Sequence, residues 1–370
     1  MARRLKIAIF EPARMWVGGG MRSIEKIASY LSGKHEVDIF TQRQPPKHLN
    51  YNKSKIRIIG PRSFFLAPFV FLFNKVDNYD MIILGGFPAN LGSIINSKRI
   101  PCITMCHSPT RVFYDLRNYT LKHSDYKGKI KAWIKLLLLK HLDYLAAQKT
   151  TKIITNSLNT GRRVKKYYHR DSEPFYTGIN FYDFKKGRYE DYILVVSRFT
   201  SAKRVDLVVR SMDFVKNKSI RLYVVGSGGE DELKIKKMCE KRPNVRFIGF
   251  VDQKKLVELY SNCLAVAYTP LREDWGMAPI EAGASGKATI GVNEGGLRET
   301  IIEGKTGFLI TKVTPQKIAG KIDLLANNKS LAKKMGEEAY KYTIQFDWKK
   351  IEPVLDKIVS EVVKTNKKIY

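Results

Sequence analysis

Short apolar runs flanked by turn residues alternate along this chain with longer segments whose apolar positions recur at helical spacing. The first half carries KIAIF (6–10), EVDIF (36–40), MIILGG (81–86), CITMCH (102–107) and KIITNS (152–157). A second series follows, YILVVSR (192–198), IRLYVVGSG (220–228), NVRFIGF (244–250), LAVAYTP (264–270) and ATIGV (288–292). Runs of that length separated by amphipathic segments predict parallel strands joined by crossover helices. The polar, broken stretch NFYDFKKGRYED (180–191) reads as a linker between the two series. The expected fold is therefore α/β, with two doubly wound Rossmann-like domains, 1–185 and 186–348, facing a cleft. The tail, 349–370, is expected to form a C-terminal helix that crosses back and packs on the N-terminal domain. Over Trp348–Lys368 the pattern predicts a helix with Ile351, Leu355, Ile358, Val359 and Val362 on one face.

Length and composition agree with a two-domain globular chain: 370 residues, 44% hydrophobic and 27% charged. Charge changes the picture, because 66 Lys+Arg face 35 Asp+Glu, a net +31. Residues 1–188 hold 34 basic and 12 acidic residues, or +22, and residues 189–370 hold 32 and 23, or +9. The first half thus carries most of the attraction for an anionic partner: nucleic acid, an anionic membrane surface or a phosphorylated substrate. Cys102, Cys106, Cys239 and Cys263 are too few and scattered for a disulfide framework and lack zinc-ligand spacing. The start MARRLKIAIF resembles a leader, but its apolar run is short and leads into Glu11-Pro12, so it reads as a buried first strand. No run reaches the roughly 18 apolar residues that cross a bilayer. A cytoplasmic protein is expected.

In doubly wound sheets ligands sit outside the carboxyl ends of the strands, and four such ends carry unusual residues. After the first, Gly18, Gly19 and Gly20 lead into a helix from Met21. That suits close approach to a phosphate or sugar, or an ordinary tight turn. After the fourth, CHSPTRVFYD places His107 at a strand end, with Arg111 and Asp115 following. These read either as a ligand group with its neighbours or as a structural histidine with solvated charges. In VVSRFTSAKRVD, Arg198 and Lys203 suit a diphosphate, since Arg grips phosphate with paired N–H bonds and Lys supplies a compact charge; a polar loop is the alternative. Finally, REDWGMAPIEAGASGK sets Glu273 and Glu281 around an expected helix start near Met277, where unpaired N–H groups and the dipole favour electron-rich oxygens. The two glutamates alone fit a hydrolase pair, a helix cap or a ligand clamp.

EDWGMAPIE resembles the Glu-x7-Glu motif of retaining GT-B glycosyltransferases. The resemblance extends, in the family's order, through the first glycine loop, the histidine, Arg198 and Lys203, VVGSGG, FIGFV, GGLRETI and GKTGFLI. It implies that Glu273 holds donor-sugar hydroxyls beside the backbone N–H groups of Gly276, Met277 and Ala278, and that Glu281 accepts from the donor ribose. Arg198 and Lys203 would neutralise the leaving diphosphate, which Gly19 and Gly20 approach from the other domain. Phe250 and Val251 match the segment that meets the base, Gly226 lines that pocket, and His107 touches the sugar. Arg111 and Asp115 would lie on the acceptor side. The family needs no metal and no cofactor beyond the nucleotide-sugar co-substrate.

CHSPTRVFYDL looks like the corresponding segment of bacterial O-antigen mannosyltransferases, which implies GDP-mannose as donor in preference to a UDP-sugar. AKRVD departs from the family's commoner variants and leaves Lys203 or Arg204 as the grip; spacing favours Lys203. Residues 61–76, PRSFFLAPFVFLFNKV, form an aromatic-rich run, and 127–149 add a basic segment with Trp133 beside a leucine cluster. Together they favour a peripheral enzyme on an anionic membrane surface acting on a glycan or polyprenyl-linked acceptor, against core packing with a solvated lysine face. A nucleic-acid binder explains the charge and not the strand-end motifs. A glycosidase leaves Arg198 and Lys203 without a role, and a catalytically silent sugar-nucleotide binder shares every expected residue.

Overall fold

The structure, a computed structural model, describes residues 3–12, 19–46, 49–63, 65–115 and 126–366, with the side chains of 126–135 and 365–366 outside that description. The chain divides into two compact units, residues 1–177 with 352–370 and residues 178–351.

Unit 1 runs β1 (Lys6–Phe10), α1 (Gly19–Ser32), β2 (Glu36–Thr41), β3 (Lys55–Ile58), α2 (Ala67–Phe73), β4 (Met81–Leu84), α3 (Ser93–Asn96), β5 (Cys102–Cys106), α4 (Tyr126–Lys149), β6 (Lys152–Thr155), α5 (Leu158–Tyr168) and β7 (Glu173–Pro174). Its strands form one parallel sheet in the order β3-β2-β1-β4-β5-β6-β7. Centre strands of a parallel sheet are covered on both faces and therefore read as continuous apolar runs. β1, β4 and β5 fit this: β4 and β5 are buried at every position and β1 at all but Lys6. Edge strand β3, KIRI, has no buried residue, and it lies outside the runs expected from the sequence.

Unit 2 continues with β8 (Tyr192–Val196), α6 (Val205–Ser211), β9 (Arg221–Val225), α7 (Glu232–Glu240), β10 (Val245–Gly249), α8 (Gln253–Asn262), β11 (Ala265–Tyr268), α9 (Met277–Ala284), β12 (Ala288–Val292), α10 (Leu297–Thr300), β13 (Gly307–Ile310), α11 (Pro315–Asn327), α12 (Lys329–Thr343) and α13 (Trp348–Asn366). The order β10-β9-β8-β11-β12-β13 is the 3-2-1-4-5-6 arrangement of a dinucleotide fold. Both units are thus parallel, Rossmann-like α/β sheets. Ile193, Val195, Leu222, Val224, Ala267 and Ile290 form the centre of the second core.

The stretch expected to be a linker is packed rather than loose. Phe181 is 1% and Phe184 8% exposed, Tyr189 Oη donates to Gly286 O at 2.6 Å, and Lys287 Nζ donates to Arg188 O. Burying those aromatic rings ties the segment to unit 2 from Gly178 onward, earlier than the 185/186 boundary expected from composition. In α13 the predicted apolar face is buried at Ile351, Leu355, Ile358, Val359 and Val362. Its residues from Glu352 group with unit 1, where Asp356 takes Tyr30 Oη at 2.7 Å and Lys34 Nζ at 2.6 Å. No helix among the described residues is long and apolar enough to cross a membrane.

Candidate functional site

In unit 2 the chain leaves β8 through Ser197–Thr200 and makes a single 3-10 turn, Ser201–Lys203. Arg204 then takes a left-handed backbone, φ 49, and the two adjacent cations diverge. The Arg204 guanidinium turns to backbone, donating to Thr269 O at 2.8 Å and Pro270 O at 2.7 Å, with Glu294 Oε1 at 3.2 Å. Lys203 Nζ instead donates to Glu273 Oε2 at 2.6 Å and to Tyr268 Oη at 3.1 Å. The Lys203 and Glu273 side chains are 18% and 23% exposed, so this pair is only partly screened by water. Burial works against the Lys203 charge, but Tyr268 and Glu273 outweigh it and hold the ammonium above its ordinary range. Burial, seconded by Glu273, pushes the Tyr268 hydroxyl up to about 12, so near neutral pH it is an uncharged partner.

Glu273 is held by its own backbone. Gly296 N donates to Glu273 O at 2.8 Å, and Arg272 N donates to Glu294 Oε2 at 3.1 Å. Gly295 has φ +58, and a Cβ there would stand 2.2 Å from Glu273 O. A side chain at 295 and this loop path exclude one another. Beyond the loop, Trp275 is buried with its ring 5.0 Å from Phe346 at 84°. Gly276, at φ 94, then opens α9. The first-turn N–H groups, including those of Met277 and Ala278, have no partner within the helix and lie at its positive end. Glu281, on the next turn, accepts from Tyr260 Oη at 2.7 Å. Tyr260 is fully buried, which together with Glu281 raises its hydroxyl well above the ordinary range.

The other expected residues of unit 2 lie at neighbouring strand ends. Arg198 is exposed just past β8, and with Ser201 it helps hold Glu230 below the usual carboxylate range, against burial. Gly226 N donates to Gly249 O at 2.9 Å, which joins the ends of β9 and β10. Phe250 follows, 78% exposed, with Val251 half-buried.

In unit 1, Gly19 and Gly20 form the first residues of α1, two positions before the expected start, while Gly18 lies outside the described residues. His107 is half-buried just after β5. Asp115 bridges Arg111, at 3.1 Å, and Arg163 of α5, at 2.8 Å; Arg163 also donates to Ser108 Oγ at 3.1 Å. Behind this segment Asp143 of α4 is fully buried and accepts from Asn90 Nδ2 at 2.8 Å, Tyr168 Oη at 2.8 Å and Tyr114 Oη at 3.4 Å. Burial pushes its carboxyl up to about 6 against the lowering effect of those bonds. Among the described residues no group of three His, Cys, Asp or Glu is placed to hold a metal ion.

Tyr268, Tyr260, Glu294, Arg163 and Asp143 were not among the residues expected from the sequence. None of their contacts carried a local signal in the sequence.

Residues 179–342 match the family model described as glycosyl transferases group 1, and residues 17–183 match glycosyltransferase family 4. The chain is 24% identical to the alpha-1,3/1,6-mannosyltransferase ALG2 of Dictyostelium discoideum, covering 90% of this chain and 92% of that one. It is 26% identical to the mouse protein of the same name over 67% of this chain and 65% of the other. Sucrose-phosphate synthase from Thermosynechococcus elongatus superposes with a TM-score of 0.81 at 18% identity, covering 98% and 100% of the two chains. Anabaena Alr3699/HepE in complex with UDP and glucose superposes with 0.75 at 17% identity, covering 97% and 100%. With two Rossmann-like units and the two family models spanning residues 17–342, this chain belongs to the GT-B glycosyltransferases of the family 4 type.

Proposed function

We propose that this glycosyltransferase moves mannose from GDP-mannose, with retention at the anomeric carbon, to a glycan or polyprenyl-linked acceptor at the cytoplasmic face of the cell membrane. The contact of Lys203 Nζ with Glu273 Oε2 at 2.6 Å carries the reading, because it joins the cation proposed for the diphosphate to the carboxylate proposed for the sugar. The resemblance to mannosyltransferases named ALG2 supports the sugar, and HepE complexes with UDP and UDP-glucose support a nucleotide-sugar donor.

The chemistry follows from charge. As the bond from the anomeric carbon to the diphosphate oxygen breaks, negative charge grows on the leaving group. Lys203 and Arg198 offset it, each contributing about 2–4 kcal/mol by analogy with oxyanion donors. Glu273 and the N–H groups of Gly276, Met277 and Ala278 orient the sugar hydroxyls, and Glu281 accepts from the ribose. Gly226, Phe250 and Val251 meet the base. From unit 1, Gly19 and Gly20 are assigned to the diphosphate, His107 to the sugar, and Arg111 with Asp115 to the acceptor. The acceptor oxygen bonds to the anomeric carbon on the face the diphosphate leaves, and its proton passes to the departing phosphate oxygen. In this scheme the cationic side chains take the charge-neutralising role, so no metal enters.

Thermal shift with GDP, UDP and ADP, then with their sugars, tests the reading, with a chelator present throughout. GDP and GDP-mannose are expected to stabilise most. A larger effect of UDP overturns mannose from GDP-mannose, and no effect of any nucleotide overturns the donor site itself.

A further inference from the structure

Helix α2 reads APFVFLF and has no polar side chain. Its inner face is accounted for, since Ala67, Pro68 and Phe71 are buried and the Phe71 ring lies 6.0 Å from Phe10. Its outer face is not. Phe69 is 45% and Phe73 70% exposed, with Leu66 just before the helix at 46% and Ile58 on β3 at 42%. A surface helix that packs on one side ordinarily turns charge or amide groups outward, and clustered exposed apolar groups mark a docking surface.

The surrounding charge says what docks. From residue 53 to residue 76 the chain has Lys53, Lys55, Arg57, Arg62 and Lys75 and no Asp or Glu, and all five cations are exposed. Arg57 is engaged by Asp38 at 2.7 Å and Lys75 stands 3.5 Å from Asp77, so part of this charge is met within the protein. Apolar groups rimmed by cations complement a surface that is anionic outside and hydrocarbon beneath. A second copy in a two-fold contact would set the same cations against each other.

Residues 59–63 leave β3 at its carboxyl end, the sheet edge from which His107 also issues. The basic helix α4 is the weaker candidate. Leu139, Ala146, Ala147 and Asp143 bury its inner side, Leu137 and Leu138 are exposed, and the side chain of Trp133 lies outside the described residues. We infer that the outer face of α2 docks on an anionic lipid bilayer, with Leu66, Phe69 and Phe73 in the interface and Lys53, Arg62 and Lys75 over the head groups. The inference deepens the proposed membrane location and rests on it only for its purpose, since docking needs neither donor nor acceptor.

The test is flotation of the full chain with phosphatidylcholine vesicles, with and without phosphatidylglycerol, at low and high salt. The wild type should float with the phosphatidylglycerol vesicles, less at high salt. Phe69→Ser with Phe73→Ser should weaken that binding about tenfold or more, and Arg62→Glu with Lys75→Glu should weaken it at low salt. Lys237→Glu with Lys241→Glu, within and just after α7, should leave it unchanged. Circular dichroism melting confirms that each variant is folded, and binding of GDP reports the sugar chemistry separately. The inference is overturned if the wild type does not float, if the phenylalanine pair floats as before, or if those substitutions abolish a concentration-dependent dimer instead.

Discussion

Lys203 Nζ stands 2.6 Å from Glu273 Oε2 and 3.1 Å from Tyr268 Oη, within one cluster at the carboxyl ends of β8 and β11. A diphosphate gripped by Lys203 would therefore share it with Glu273, the carboxylate proposed for the sugar, so the two proposed functions are coupled. Lys203→Met and Glu273→Ala should each lower kcat by about a hundredfold or more. Initial rates of GDP release from GDP-mannose check this, alongside melting curves close to the wild type. Near-normal turnover in either variant would remove that residue from the reaction.

Tyr260 is linked to the proposed donor site through Glu281. Its hydroxyl, 2.7 Å from Glu281 Oε2 and fully buried, fixes the carboxylate proposed for the ribose. Tyr260→Phe removes that bond while keeping the ring in its core site. The wild type should prefer GDP over its 2′,3′-dideoxy analogue, and the variant should lose most of that preference, about tenfold for one charge-assisted bond. Calorimetric titration of both nucleotides measures it. Unchanged preference would leave Tyr260 a packing residue.

Gly295 is where the loop bearing Glu273 is most exposed to damage. A methyl group at φ +58, 2.2 Å from Glu273 O, forces one backbone away from the other. Gly295→Ala should cost about 1–3 kcal/mol of stability. It should reduce turnover by more than the fraction unfolded at the assay temperature. A melting curve and a rate measured on the same preparation separate the two effects.

Asp143 makes unit 1 sensitive to pH. Its folded carboxyl titrates near 6, raised from 3.8 by burial. The native state therefore binds that proton more tightly than the unfolded chain. The resulting stabilisation is fully present below about pH 4 and is lost as pH rises towards 6, by up to ~3 kcal/mol. Asp143→Asn should flatten that slope, because an amide oxygen still accepts from Tyr168 and Asn90 can turn its own oxygen to the new amide. Denaturant unfolding across this pH range reads the difference between the two proteins.

Much of the fold was legible because buried parallel strands are apolar without interruption, as in IIL of β4 and AVA of β11. β3 escaped notice because KIRI is an exposed edge, and β7 because it is only two residues long. β13 lay hidden in GKTGFLI, quoted as a motif and not as a strand. At the site, glycines and charges at strand ends announce themselves locally. Tyr268 did not, since it sits in an apolar strand and acquires its partner 65 residues away. Glu294 reaches Arg204 across 90 residues. Such contacts are made by the sheet order, and nothing in the spacing of either partner reveals them.

Glu273→Gln offers the sharpest measurement, because it removes the charge that competes for Lys203 without removing the side chain. Titration of GDP and of GDP-mannose into the wild type and this variant should show GDP binding unchanged or tighter, while GDP-mannose loses the added affinity its sugar provides. If GDP binding falls as far as GDP-mannose binding, or if the preference for GDP-mannose survives, Glu273 does not hold the sugar and the account of the site is wrong.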